Sequence, residues 1–129
     1  MQELLFDLAT KYIKIQPEKS DKKPLNLENV RSAIIYIREN LSKKITIKDL
    51  ALYSGISEYY FIREFKRITR YTPVTYINMI RCDTAKKLLS EGEYNVGEVA
   101  DMCGFDNMPY FTKTFKKYTG VLPSQVKKK

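Results

Sequence analysis

The chain has 129 residues, 43% of them hydrophobic, and a net charge of +8; it is long enough to bury a core and too apolar to be a disordered coil. Its 23 Lys and Arg against 15 Asp and Glu favour a polyanionic partner, nucleic acid ahead of an anionic membrane surface. The absence of histidine excludes His-dependent acid–base catalysis, Ser-His and Cys-His nucleophile pairs, and His-containing zinc sites.

Residues 3–14 carry a short helical pattern, with Leu4, Leu5, Leu8 and Tyr12 along one side. Glu3, Asp7 and Lys11 interrupt the apolar run, so it reads as an amphipathic helix and not a signal sequence. The polar stretch from Pro17 to Pro24 reads as a linker, which makes residues 1–25 a helix and linker ahead of a domain spanning 26–129. No stretch approaches membrane-spanning length, and the expected location is the cytoplasm. Asn26 is placed to cap a helix whose apolar positions are Val30, Ala33, Ile34, Ile37 and Leu41. Strand signals are weak throughout, so the domain is expected to be all-α.

Two later stretches say nearly the same thing. "GISEYYFIREFKRITRYTP" begins at Gly55, and "GFDNMPYFTKTFKKYTG" begins at Gly104. Ala51 and Gly55 match Ala100 and Gly104 at an offset of 49. From Tyr60/Tyr110 through Phe61/Phe111, Phe65/Phe115, Lys66/Lys116, Thr69/Thr119 and Pro73/Pro123 the offset is 50. Each copy opens with a capping-box signature, "TIKD" (Thr46, Asp49) and "NVGE" (Asn95, Glu98). Ser57 and Asp106 are expected to cap the second helix of each copy. A short helix, a Gly-containing turn and a second helix make a helix-turn-helix, here twice over. Between the copies, Thr72-Pro73 opens a long helix running through Ile77, Ile80, Ala85 and Leu88 to Gly92. Some nineteen residues give a rod of about 28 Å, near the roughly 34 Å of one DNA turn. A two-unit solenoid is the competing architecture, but solenoids normally need three or more stacked units. Cys82 and Cys103 lack the partner pairs of a zinc ribbon and read as small core residues.

In the first copy Phe61, Phe65 and Ile68 share a core-facing stripe, and Tyr59, Ile62, Arg63 and Lys66 share the opposite one. The second copy repeats this with Phe111, Phe115 and Tyr118 inward and Pro109, Thr112, Lys113 and Lys116 outward. Glu58, Asn107 and Met108 stand at the helix beginnings, where base edges come within reach. The chemistry suits major-groove reading: Arg63 on a guanine, Asn107 on an adenine, and Tyr59, Ile62 and Met108 over thymine methyls. Lys66, Arg67, Lys116 and Lys117 suit phosphates, as do the capped helix N-termini at Thr46 and Asn95. Arg81, on the linking helix, is expected to pair internally with Asp101 or Asp49 ahead of a phosphate.

These residues resemble the AraC/XylS type of bacterial transcription regulators over residues 28–127. The resemblance runs through "ITIKDLALYSGIS", "FIREFKRIT", "INMIRCDTAKKLLSEG", "VGEVADMCGFDNMPYFTKTFKKYTG" and Pro123-Ser124. It implies about seven helices, two helix-turn-helix units joined by a rigid helix, and recognition helices in adjacent major-groove segments on one face of DNA. The family's base-reading positions fall on Tyr59, Ile62 and Arg63, and on Asn107, Met108, Thr112 and Lys113. Arg70 stands where the family usually has a helix-ending glycine. Leu122 replaces the usual capping Thr, and Val126-Lys127 replace the usual Tyr-Arg, so the last helix is expected to fray or shorten. Met108 and Pro109 replace more usual hydrogen-bonding residues, which points to weak or shape-driven discrimination by the second unit.

The expected function is sequence-specific promoter binding, without enzymatic activity, cofactor or metal. The expected partners are double-stranded DNA and RNA polymerase. The isolated domain is expected to be monomeric, and a full-length regulator to dimerise through an N-terminal sensing domain whose last helix and linker residues 1–25 resemble. Two other readings compete. One is the DNA-targeting part of an alkylation-repair methyltransferase, which requires an activated cysteine. The other is a nonspecific architectural binder, which bends DNA without sequence preference.

Overall fold

The computed structural model describes residues 26–128; the helical pattern over 3–14 and the linker before Asn26 lie outside the described residues. Among those described there are six α-helices, one 3-10 turn and no strand: α1 (Leu27–Glu39), α2 (Ile47–Ser54), α3 (Glu58–Thr69), α4 (Pro73–Glu91), α5 (Val96–Met102), α6 (Met108–Thr119) and the turn Pro123–Gln125. The all-α expectation therefore holds. The seventh helix is reduced to the single 3-10 turn.

The chain divides into two compact units. The first takes in residues 26–40 and Ile45–Tyr76; the second takes in Leu41–Lys44 and residues 77–128. The helix α4 is continuous along the chain, with its first turn counted in the first unit and the remainder in the second.

In the first unit α1 begins where expected, with Asn26 Oδ1 accepting from the Asn29 N–H at 2.8 Å. Val30, Ala33 and Ile37 are buried, but Ile34 is only half-buried, and Leu41 falls beyond the end of the helix. Ile35 and Ser32 are buried instead, because the covered face is displaced one position around the helix. Leu50, Ala51, Ile56, Phe61, Phe65 and Pro73 are buried with them. Phe61 and Phe65 pack with ring centroids 5.4 Å apart, and Phe65 meets Tyr76 edge-on at the same distance.

The second unit has its own core of Cys82, Ala85, Leu89, Val99, Ala100, Cys103, Phe105, Phe111 and Phe115. Phe105 lies 4.7 Å from Phe111, and Phe111 lies 5.6 Å from Phe115. The two free cysteines are buried here, as core residues. Burial pushes the Cys82 thiol up to about 12, with Cys103 adding to the shift. Burial raises Cys103 to about 11, against an opposing pull from Arg81.

Candidate nucleic-acid interface

Each unit builds its recognition helix by the same local steps. In the first, Thr46 Oγ1 accepts from the Asp49 N–H at 3.0 Å and Asp49 Oδ2 accepts from the Thr46 N–H at 3.3 Å. In the second, Asn95 Oδ1 accepts from the Glu98 N–H at 2.8 Å and Glu98 Oε1 accepts from the Asn95 N–H at 2.9 Å. The predicted capping boxes are thus present in both copies. They also bring a carboxylate to each helix start, where it accepts from the N-cap N–H.

The turns follow. Gly55 ends α2 in the left-handed region at φ 75°, and Gly104 follows α5 at φ 85°. A Cβ on Gly104 would run into the Leu41 carbonyl oxygen and crowd the Arg81 guanidinium at 3.0 Å. Arg81 Nη2 donates to the Lys43 carbonyl at 2.9 Å. This corrects the expected pairing with Asp101 or Asp49, because the partner within reach of the guanidinium is a main-chain oxygen. Burial lowers the Arg81 pKa, and Tyr110, Asp106 and Cys103 oppose that shift.

Ser57 caps α3, accepting from the Tyr60 N–H at 3.2 Å. The cap of α6 is Asn107, whose Oδ1 accepts from the Tyr110 N–H at 2.8 Å. This corrects Asp106. The offset of 50 that pairs Tyr60 with Tyr110 also pairs Ser57 with Asn107, so the extra residue of the second copy lies ahead of the cap. An adenine gripped by Asn107 would meet a carboxamide oxygen already accepting one bond.

The far ends of the recognition helices match as well. Thr69 Oγ1 donates to the Phe65 carbonyl and accepts from the Tyr71 N–H; Thr119 Oγ1 donates to the Phe115 carbonyl and accepts from the Val121 N–H. Arg70 takes the left-handed C-cap at φ 73°, where the second copy has Gly120 at φ 84°.

The outward stripes emerge as drawn from the sequence except at Thr112. On α3, Tyr59 is 74% exposed and Ile62 38%, and Glu58, Arg63, Lys66 and Arg67 are exposed too. On α6, Asn107, Met108, Lys113, Lys116 and Lys117 are exposed and Thr112 is half-buried. Met108, Pro109, Thr112, Lys113, Lys116, Lys117 and Leu122 line one open groove of about 670 Å³. One residue escaped the sequence reading. Glu64, on the flank of α3, is 4% exposed, with Oε1 2.8 Å from Arg67 Nε and Oε2 3.9 Å from Arg63 Nε. Its place beside Arg63 and three residues before Arg67 was the available signal.

A helix-turn-helix domain family, of the AraC type, matches residues 50–129. The chain belongs to the AraC-type helix-turn-helix family. A curated relative of this AraC-type domain is the bifunctional transcriptional activator/DNA repair enzyme AdaA of Bacillus subtilis, 39% identical over 90 residues, 70% of this chain and 43% of AdaA. The chain thus spans less than half of that relative's length. Among solved structures it resembles the C-terminal domain of AraT, a response regulator from Geobacillus stearothermophilus. That match has a TM-score of 0.71 and 31% identity, covering 76% of this chain and 82% of that one. The DNA-binding domain of AdpA, solved with a target DNA, matches with a TM-score of 0.70 and 26% identity over 74% of this chain and 86% of its own. No helix among the described residues is long and apolar enough to cross a membrane.

Proposed function

We propose that this AraC-type domain recognises promoter DNA by sequence, with α3 and α6 entering successive major-groove segments of one duplex and α4 acting as the spacer. The observation that carries this reading is the repetition of one device: a capped helix, a left-handed turn and a second capped helix bearing an exposed stripe of mixed chemistry. Solvation alone would leave such stripes polar, whereas Tyr59, Ile62 and Met108 give them apolar contact area. The AdpA domain, solved on its target DNA, supports the same partner for this fold.

On this reading Glu58, Tyr59, Ile62 and Arg63 meet base edges in one segment, and Asn107, Met108, Thr112 and Lys113 in the next. Lys66, Arg67, Lys116, Lys117 and the helix starts at Thr46 and Asn95 hold phosphates. RNA polymerase is the further partner, the work is done in the cytoplasm, and a longer protein would dimerise through a domain ahead of this one.

The similarity to AdaA keeps a second reading in view, targeting of a DNA-repair enzyme. The chain's own thiols oppose a direct methyl-acceptor role, since both are buried and held protonated. Selection of bound duplexes from a random pool, followed by titration of the selected duplex against a scrambled one across salt, tests the proposal. The selected site should bind about a thousand-fold more tightly. Equal affinity at every salt concentration would contradict it.

A further inference from the structure

The two recognition helices share a backbone design but differ in electrostatics. α3 carries Arg63, Lys66 and Arg67 together with two carboxylates, Glu58 and Glu64. α6 carries Lys113, Lys116 and Lys117 with no carboxylate. At the offset of 50, Arg63 matches Lys113, Arg67 matches Lys117, and Glu64 matches Thr114. Thr114 is also buried, so the same flank of both helices is covered, but only the first places a charge there.

A buried carboxylate has to be paired to persist. Glu64 takes the Nε–H of Arg67 at 2.8 Å and lies 3.9 Å from Nε of Arg63. The side chains of Arg67 and Arg63 remain 57% and 64% exposed, and the Glu64 carboxylate is an ion-pair partner of both. A guanidinium is a planar fork whose value in base or phosphate recognition depends on orientation, whereas an ammonium is a point charge. Restraining the fork before binding reduces the freedom lost on binding and narrows the geometries it accepts. The negative charge also weakens attraction to any phosphate that does not align with the fork.

We propose that Glu64 is a specificity-determining positioning residue. It orients Arg67 and Arg63 and makes α3 the more discriminating helix, while Lys116 and Lys117 of α6 supply sequence-independent attraction. This rests on the promoter-binding reading above. It adds that the discrimination originates in a residue that touches no DNA.

The test uses a duplex selected by the wild-type protein and its scrambled counterpart, titrated across salt, with Glu64→Thr, the residue of the second copy, and the isosteric Glu64→Gln. Folding of each variant is checked by its thermal transition, and Glu64→Gln carries the test if Glu64→Thr does not fold. Losing the charge should tighten binding to scrambled DNA. It should lower the ratio of selected to scrambled affinity by roughly tenfold, about the weight of one well-made side-chain fork. Arg63→Lys, which keeps the charge and loses the fork, should lower the same ratio. Folded variants whose ratio equals that of the wild type would overturn the assignment, since a purely structural role moves the melting temperature and not the ratio. A wild-type protein that itself shows no preference would instead sink the promoter reading, and the two failures are distinguishable.

Discussion

Arg63 and Lys113 occupy equivalent exposed positions fifty residues apart, yet they do not have the same capacity to specify a base. A guanidinium can hold O6 and N7 of guanine together, and an ammonium cannot fix that geometry. Arg63→Ala should therefore relax specificity at one base pair and cost about 1–3 kcal/mol there, read by binding to a panel of single-position variants of the selected site. Uniform weakening across the panel would make Arg63 a phosphate contact. The cysteines carry a different prediction. Burial raises both thiol pKa values, to about 12 and about 11, so the native state keeps its thiol protons after the unfolded chain has lost them. The corresponding stability is intact below about pH 8.5 and is lost as pH rises above it, by up to about 1.4 kcal/mol per pH unit for each thiol. Urea unfolding at pH 8 and pH 10 should show a steeper loss for the wild type than for a Cys82→Ala, Cys103→Ala double variant. Equal losses would contradict it.

The helix ends explain what the sequence made legible and what it concealed. Caps are local, one side chain reaching a backbone N–H three residues on, so Asn26, Thr46, Ser57 and Asn95 were identifiable from their neighbours alone. Asp106 and Asn107 both suit that role and are adjacent, and only the helix start distinguishes them. The seventh helix shortened because Leu122 offers no side-chain acceptor. The Gln125 side chain instead reaches back to the Leu122 N–H at 2.8 Å. By contrast, Thr72 Oγ1 accepts from the Thr75 N–H at the start of the nineteen-residue α4. Glu64 and the Lys43 carbonyl under Arg81 depend on burial and on residues distant in sequence, which periodicity does not reveal. Three substitutions test the turns. Arg70→Gly removes a left-handed arginine and should raise stability by about 1 kcal/mol, a melting shift of about 4–8 °C. Gly104→Ala meets the Leu41 oxygen and should cost about 3 kcal/mol. Gly120→Ala, with nothing within 4 Å of the added carbon, should cost about 1 kcal/mol from backbone strain alone. Comparable losses at the two glycines would refute the steric account of the second turn.

For the whole molecule, the repeat was the most legible feature, because an offset of 50 preserved through aromatic, basic and capping positions does not arise from composition. The fold class and family followed from it. Assigning DNA bases to particular side chains goes further, since the stripes show what is exposed and not what is touched. Base-by-base chemical interference on the selected duplex addresses this most directly. Two clusters of interfering bases in the major groove, with centres about 10–10.5 base pairs apart on one face, are the predicted result. A single cluster, or interference confined to phosphates, would contradict two-helix reading.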